Sequence, residues 1–411
     1  METETGKNRS AAFAAVALSS LACALFLWQM SRPGWGFDFR LRYNEIACLR
    51  AGIDPFLVWS GKASLPGLKP YTEEAAAVLP AAGEHPFVHS YTPWTYSLLA
   101  PFARLDYPVA LACWRLALTV CFAALLFFAY RAARRVRGEP RDGLFALAAV
   151  AAFVALNVET GVALNFGLPL AVALCAMAWF LNRGRDLAAG ACLAVLMVKP
   201  QVGALFTFPL LLRRKFSTLA CGAALCLAGT LPTAALCHRS PLDLILQAPR
   251  AGAYTRRTTF FPGCVYAELA QRFGEAVPFV ASAIAGAALC AWLCWRLRKT
   301  RDWLPVLAAP AAVCVSWTYS MTHDRVVLVL PVLLAVRALL RERSPGIRAA
   351  LSALLLVLPL GFAYQYLCWI FPGVPVPVLR ASFLWRSAHE LLVLVLFSWL
   401  CLQSAGKEAA R

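Results

Sequence analysis

The sequence predicts an all-α polytopic membrane protein, and three observations indicate this class. Of the 411 residues, 61% are hydrophobic and only 15% are charged, which is too apolar for a protein surrounded by water. Apolar runs near the thickness of a bilayer recur along the chain. Most of the 15 cysteines lie within these runs and form no CxxC pair, so they are expected to pack as small apolar side chains.

Ten apolar runs are near bilayer length, and each predicts a membrane-spanning helix. They lie at about 11–30, 107–130, 142–158, 160–181, 216–237, 276–296, 303–322, 324–341, 349–370 and 387–403. A further stretch, 187–212, is interrupted by Lys199 and Pro200. Because proline removes a backbone donor and an uncompensated charge is costly in hydrocarbon, we expect two short helices that meet at an outside turn.

These runs indicate one integral membrane domain covering residues 1–411. Residues 1–30 are expected to form an uncleaved signal-anchor span, because no convincing cleavage site follows them. Residues 31–106 would form an extracytoplasmic loop with an interface helix, 107–341 the core spans, and 342–411 the C-terminal spans.

The basic excess is best explained by membrane topology. Lys and Arg total 39 against 21 acidic residues, a net charge of +18. With the N-terminus in the cytoplasm and 187–212 as a hairpin, more than half of the basic residues fall in short inside segments such as 131–141, 213–215 and 296–301. Positive-inside bias therefore accounts for the charge without a nucleic-acid partner, and it predicts a multi-pass protein of the cell membrane.

Asp38 stands soon after the first span, among arginines and aromatic residues. It precedes an amphipathic stretch, Phe39 to Ala51, that predicts a short helix, so its carboxylate could cap that helix. Arg40 and Arg42 favour an ionised carboxylate, which a proton acceptor needs to be at neutral pH. The spacing is compatible with capping, with proton acceptance, or with both.

Four candidate cationic side chains are expected on the same side of the membrane as Asp38: Lys199, His323, Arg256 and Arg257. Arginine binds phosphate bidentately, and a lysine at a mid-membrane break needs an anion or a water-filled cavity. Lipid-headgroup contact is the structural alternative for the arginines. For Asp324 and Arg325, beside His323, the alternatives are a helix cap and a snorkelling side chain.

Residues 89–105, HSYTPWTYSLLAPFARL, are rich in aromatic residues and too short to span comfortably, so an interfacial helix is expected there. Its rings could anchor the chain in the interface or contact a ligand. His85 and His89 lack companion ligands, and Pro86 follows the first of them, so no metal and no other cofactor is expected.

Five segments, in this order, resemble glycosyltransferase family 87. They are DFRLRYNEIACLRAGIDPF, YTPWTYSLLAPFARL, LNFG, GRDLAAGACLAVLMVKP and SMTHDRVVLVLP. The similarity runs over residues 30–335. That family comprises GT-C-type integral membrane enzymes, including polyprenol-phosphate-mannose-dependent α-mannosyltransferases. The resemblance thus implies a GT-C-like bundle of about 10–12 transmembrane helices.

The resemblance implies extracytoplasmic transfer of a sugar, with mannose expected, from a polyprenyl phosphate to a hydroxyl of a lipid or glycan acceptor. Transfer would invert the anomeric carbon. The catalytic carboxylate falls on Asp38, which would act as general base. The donor phosphate would be bound by cations: Lys199, His323, Arg256 and Arg257. The sugar or acceptor would be bound by aromatic rings: Tyr43, Tyr91 and Trp94.

Three residues depart from the family pattern. Arg42 stands where an aromatic residue is usual, Phe56 replaces a common tyrosine, and Leu168 follows NFG where glutamine is frequent. These departures bear on the identity of the sugar more than on the type of reaction.

Two other functions are compatible with these residues. A transporter or flippase for a lipid-linked or anionic solute would use the same outward cations, but it would also be expected to carry ionisable groups near the midplane and on both leaflets. A non-catalytic partner in envelope assembly would need Asp38 only as a cap.

Overall fold

The computed structural model describes residues 2–32, 36–50, 54, 91–246, 276–316, 322–342, 344–349, 351–355 and 392–403. The regular structure within these ranges is helical and contains no strand, as expected for an all-α polytopic membrane protein. Three of the described helices are long and apolar enough to cross a membrane, within Ser10–Ser31, Tyr107–Val136 and Phe216–Leu236. The predicted fold class is confirmed.

The described helices follow the predicted order. In chain order they are α1 Glu2–Ser31, α2 Phe37–Arg50, α3 Pro93–Leu99, α4 Tyr107–Arg137, α5 Pro140–Leu156, α6 Val158–Ala163, α7 Gly167–Leu181, α8 Asp186–Leu196, α9 Pro200–Gly203, α10 Thr207–Leu212, α11 Phe216–Leu236, α12 Ala276–Arg296, α13 Trp303–Ser316 and α14 Val329–Arg341. Short 3-10 helices cover Phe102–Arg104, Ala204–Phe206 and Thr322–Leu328. Further helical residues lie at 241–246, 345–349, 351–355 and 392–403.

The predicted span at 160–181 is divided in the structure. Leu164 adopts a left-handed conformation with φ of 53° and separates α6 from α7. Trp114 Nε1 donates a hydrogen bond to the Leu164 carbonyl at 2.6 Å, and the Gly167 N–H donates to Asn165 Oδ1 at 2.6 Å. These bonds to the backbone fix a break that hydropathy alone did not predict.

The hairpin predicted at 187–212 is present. Lys215 Nζ lies 2.9 Å from Asp186 Oδ1, so the residues that flank the segment meet at one end of the bundle. Between them, α8 runs away from that end, Lys199 lies at the turn, and α9, the 3-10 helix and α10 return. The lysine-proline pair therefore forms the turn of the hairpin.

The segments predicted to face the cytoplasm meet at the end of the bundle opposite Lys199. Asp302 accepts a hydrogen bond from Asn182 Nδ2 at 3.1 Å and pairs with Arg337 Nη1 at 2.5 Å. Arg213 Nη2 donates to the Thr300 carbonyl at 2.6 Å. Because four predicted inside segments converge here, we call this the basic end.

The predicted helix after the first span is α2, and a glycine sets its start. Gly36 has φ of 102°, a region that L side chains rarely adopt, and its N–H donates to the Val162 carbonyl at 2.8 Å. A Cβ at this position would lie 2.8 Å from Leu164 Cδ1. The close approach docks α2 against the break between α6 and α7.

Candidate functional site

Asp38 lies in the first turn of α2, not at the N-cap, because the helix begins at Phe37. Tyr91 donates its hydroxyl hydrogen to Asp38 Oδ2 at 2.9 Å, and Arg42 Nη2 lies 3.9 Å from Oδ1. The Asp38 side chain keeps 12% of its surface exposed, whereas the Arg42 side chain keeps 1%. The carboxylate is thus held by two side chains and still partly accessible.

Arg42 also pairs with a second carboxylate on α2. Its Nη1 lies 2.8 Å from Glu45 Oε2, which accepts a hydrogen bond from the Tyr96 hydroxyl at 2.9 Å. Glu45 is fully buried. Burial raises the pKa of Glu45 to about 7, and Asp38 adds to that rise, while Arg42 and Tyr96 oppose it. A carboxyl group with this pKa changes charge near neutral pH.

Tyr91 lies between the residues of α2, Asp38 and Arg42, and the Lys199 side chain. Its ring centroid lies 4.6 Å from Arg42 Cζ and 5.1 Å from Lys199 Nζ. Burial, and next the negative charge of Asp38, raise the pKa of Tyr91 well above its usual value. The phenol therefore remains protonated and remains a hydrogen-bond donor to Asp38. Phe166 packs against the same ring at 5.3 Å between centroids.

Lys199 forms a buried ion pair. Its Nζ lies 2.6 Å from Asp324 Oδ1, and the two side chains are 3% and 1% exposed. The anion that a lysine needs at this depth is thus supplied by the 3-10 helix Thr322–Leu328. Asp324, which the sequence suggested as a possible helix cap, is the ionic partner of Lys199.

The two other predicted aromatic residues pack against the protein. The Tyr43 hydroxyl donates to the Leu105 carbonyl at 2.7 Å, and its ring lies 5.3 Å from that of Tyr107. Trp94 is partly buried on α3, and a Cβ at Gly229 of α11 would lie 2.8 Å from its Cβ. Both rings help to anchor the α2 and α3 region, and their contact with a sugar stays a prediction.

Two predicted site residues, Arg256 and Arg257, lie outside the described residues, as do His85 and His89, for which no metal site was expected. His323 directly precedes Asp324 in the 3-10 helix, so its backbone lies beside the ion pair, but its side chain is outside the description. The roles of these residues stay predictions.

Sequence reasoning missed three buried polar residues around this site, Glu45, Tyr96 and Asn165, and it did not identify Asp324 as the partner of Lys199. Glu45 lies on an amphipathic helix, where polar positions ordinarily face water, but Arg42, three residues before it, has the spacing of a helical ion pair. Asn165 Oδ1 accepts a hydrogen bond from the Gly167 N–H at the start of α7. The Nδ2 atom of Asn165 is buried without a hydrogen-bond partner in the described part of the chain.

Comparison with known proteins identifies the family. No curated protein matches the chain. The model of glycosyltransferase family 87 matches residues 88–320, which is more than half of the chain. The matched range contains Tyr91 and Lys199, whereas Asp38 and His323 lie outside it. The chain therefore belongs to glycosyltransferase family 87 and is a membrane glycosyltransferase.

Proposed function

We propose that the protein transfers a sugar, with mannose expected, from a polyprenyl phosphate to a hydroxyl of a lipid or glycan acceptor on the extracytoplasmic face. One observation carries this proposal: Asp38 and Lys199, from distant parts of the chain, both contact Tyr91. A carboxylate and a cation at one ring suit a reaction that removes a proton and releases a phosphate.

Asp38 is proposed as the general base. It accepts the proton of the acceptor hydroxyl while the hydroxyl oxygen bonds to the anomeric carbon. A positioned base contributes about 10²–10⁴-fold to such a step. The Tyr91 hydrogen bond occupies Oδ2 and orients the carboxylate, so Oδ1 is the oxygen proposed to take the proton. Attack from the face opposite the phosphate inverts the anomeric carbon.

Lys199 is proposed to stabilise the departing group. The bond between the anomeric carbon and the phosphate oxygen breaks, and its electrons leave with the polyprenyl phosphate. Negative charge grows on that phosphate, so preorganised cations favour the transition state. An ammonium group has three N–H donors, and the ion pair with Asp324 fixes its position. His323, Arg256 and Arg257 are proposed to assist.

Aromatic rings are proposed to bind the sugar or the acceptor, with Tyr91 nearest to Asp38 and Trp94 on the following helix. Tyr43 completes the proposed set from α2. No metal enters the proposal, because a phosphate leaving group reduces the need for a general acid and the cations named above supply positive charge.

Purified protein in nanodiscs tests this function. Polyprenyl phosphate carrying radiolabelled mannose is added with an extract of envelope lipids and glycans, and the released polyprenyl phosphate and the labelled product are measured separately. We expect both to form in equal amounts. The same assay with other polyprenyl-phosphate sugars tests the choice of mannose.

Two outcomes would contradict the proposal. Donor that binds but is never consumed, while moving between leaflets of a proteoliposome, would support the transporter or flippase. Label released to water at the same rate with and without acceptors would show that no acceptor hydroxyl is used.

A further inference from the structure

A cavity of about 380 Å³ opens between four helices at the basic end. It lies among α4, α7, α13 and α14, and its lining contains three arginines and one carboxylate: Arg135, Arg301, Arg337 and Asp302. The rest of the lining includes apolar side chains of these helices: Phe128, Leu304, Leu330 and Leu333. The cavity therefore combines a cationic mouth with apolar walls.

Trp179, which also lines the cavity, organises arginines around its indole ring. The Cζ atoms of Arg183, Arg135 and Arg131 lie 3.4, 4.5 and 5.8 Å from its centroid. Stacking on an indole holds a guanidinium plane and leaves its edge N–H donors able to bind an anion. The arginines thus have more order than solvated surface charges.

The single carboxylate of the lining already has partners. Asp302 pairs with Arg337 at 2.5 Å and accepts hydrogen bonds from Asn182 Nδ2 and the Leu304 N–H. It balances one of the three lining arginines, so the mouth of the cavity keeps a net positive charge.

This cavity is separate from the site around Asp38. Helix α7 begins at Gly167, next to the Phe166 ring that packs on Tyr91, and reaches the cavity at Cys175, Ala178 and Trp179. A helix rises 1.5 Å per residue, so the 12 residues from Gly167 to Ala178 place the two sites about 17 Å apart along this helix.

We propose that this cavity binds an anionic phospholipid of the surrounding leaflet. The phosphate contacts Arg135 and Arg301 at the mouth, and the first part of one acyl chain follows the apolar walls toward Phe128 and Leu330. Positive-inside bias explains why arginines are found at this end, but it requires neither a cavity nor apolar walls beneath the charges. The amphipathic lining favours a lipid over a free phosphate, whose solvation the walls could not replace.

Native mass spectrometry of the delipidated full chain tests this site. Phosphatidylglycerol, phosphatidylcholine and water-soluble glycerol phosphate are titrated separately. The test variant is R135Q with R301Q, and the matched control is R134Q with R298Q, which removes the same charge from the same end outside the cavity lining. The test variant loses two proposed hydrogen bonds between arginine and the lipid phosphate. We expect its affinity for phosphatidylglycerol to fall about tenfold or more.

We expect phosphatidylglycerol to bind tighter than the other two probes, and the test variant alone to lose this preference. Equal losses in the test and control variants would show a general charge effect and overturn the proposal. So would glycerol phosphate binding as tightly as the lipid, because the apolar walls would then contribute nothing. Neither result depends on sugar transfer, so the proposed reaction stands or fails separately.

Discussion

Arg42 occupies a position where the family resemblance led us to expect an aromatic ring, and the structure gives that departure a physical role. Its guanidinium lies within 4 Å of carboxylates on both Asp38 and Glu45 and packs over Tyr91. A buried charge left without partners is costly, so the two acids and the arginine form one unit. Because Arg42 contacts both carboxylates, a change in the charge of Glu45 alters the electrostatic environment of Asp38.

Substituting Glu45 by Gln should change how stability depends on pH. The folded pKa of about 7 exceeds the ordinary 4.5, so between these values the folded carboxyl holds a proton that the unfolded one has lost. Unfolding therefore releases a proton, and the Glu45 contribution to stability falls as pH rises through this window. We expect the apparent Tm of the wild type minus that of E45Q to decrease over the same range.

Thermal unfolding in detergent at closely spaced pH values measures this difference. The control is E139Q, which removes an exposed carboxylate that is paired with Arg141. A wild-type minus E45Q difference that stays flat or rises with pH would show that Glu45 does not titrate as proposed.

The charged residues of the site were predictable in part. Asp38 and Lys199 were found because a charge beside or within an apolar run is unusual wherever it falls in three dimensions. Their pairing was not predicted, because Tyr91 and Asp324 reach Asp38 and Lys199 through the packing of segments that are distant in sequence. Glu45 was missed because a polar residue on a short helix is ordinarily solvated, whereas α2 is buried on several sides.

The turn of the hairpin contains the buried ion pair between Lys199 and Asp324. Removing one partner of a buried pair leaves an uncompensated charge and typically costs about 3–5 kcal/mol, whereas apolar replacements of both are far better tolerated. We expect K199M and D324L each to be strongly destabilised and the double variant to recover most of the loss. Equilibrium unfolding in mixed micelles provides the measurement.

Transfer activity separates the structural role of this pair from the catalytic one. If Lys199 binds the leaving phosphate, the double variant should fold well but transfer sugar about 10²-fold or more slowly. R141Q is the control, because its exposed pair with Glu139 is worth about 1 kcal/mol or less. A double variant with wild-type transfer would assign Lys199 to stability alone.

Helix boundaries were predictable where the chain carries a strong breaker. Lys199 followed by Pro200 correctly predicted two short helices, and Pro93 lies at the start of the predicted interfacial helix, now α3. The break between α6 and α7 carries no proline, and its left-handed residue is a leucine held by Trp114. The Trp114 hydrogen bond is tertiary, so a local pattern does not reveal it.

Charge segregation organises the whole molecule. The arginines around Trp179 lie at one end, while Asp38, Tyr91 and the Lys199 turn lie at the other. The positive-inside rule predicted this division from loop composition. It requires 187–212 to form a hairpin, because a single helix there would move residues 213–215 and every later basic loop to the opposite side. Which end faces the cytoplasm is the part that a membrane assay tests.

Epitope insertion tests the orientation. A tag placed at Gly138, in the loop between α4 and α5, should react with antibody only after cells are permeabilised, because that loop belongs to the basic end. A tag after Ser240, beyond the far end of α11, should react in spheroplasts with an intact inner membrane. The opposite pattern would place Asp38 in the cytoplasm and contradict extracytoplasmic transfer.

The most direct measurement compares sugar transfer by D38N and D106N, with donor binding determined on the same preparations. Asparagine can still accept the Tyr91 hydrogen bond, so D38N should fold and bind donor normally while transfer falls by about 10²–10⁴-fold. Asp106 precedes α4 outside the hydrogen-bond network of Asp38, so D106N should transfer at the wild-type rate. Wild-type turnover by D38N would show that Asp38 is not the base.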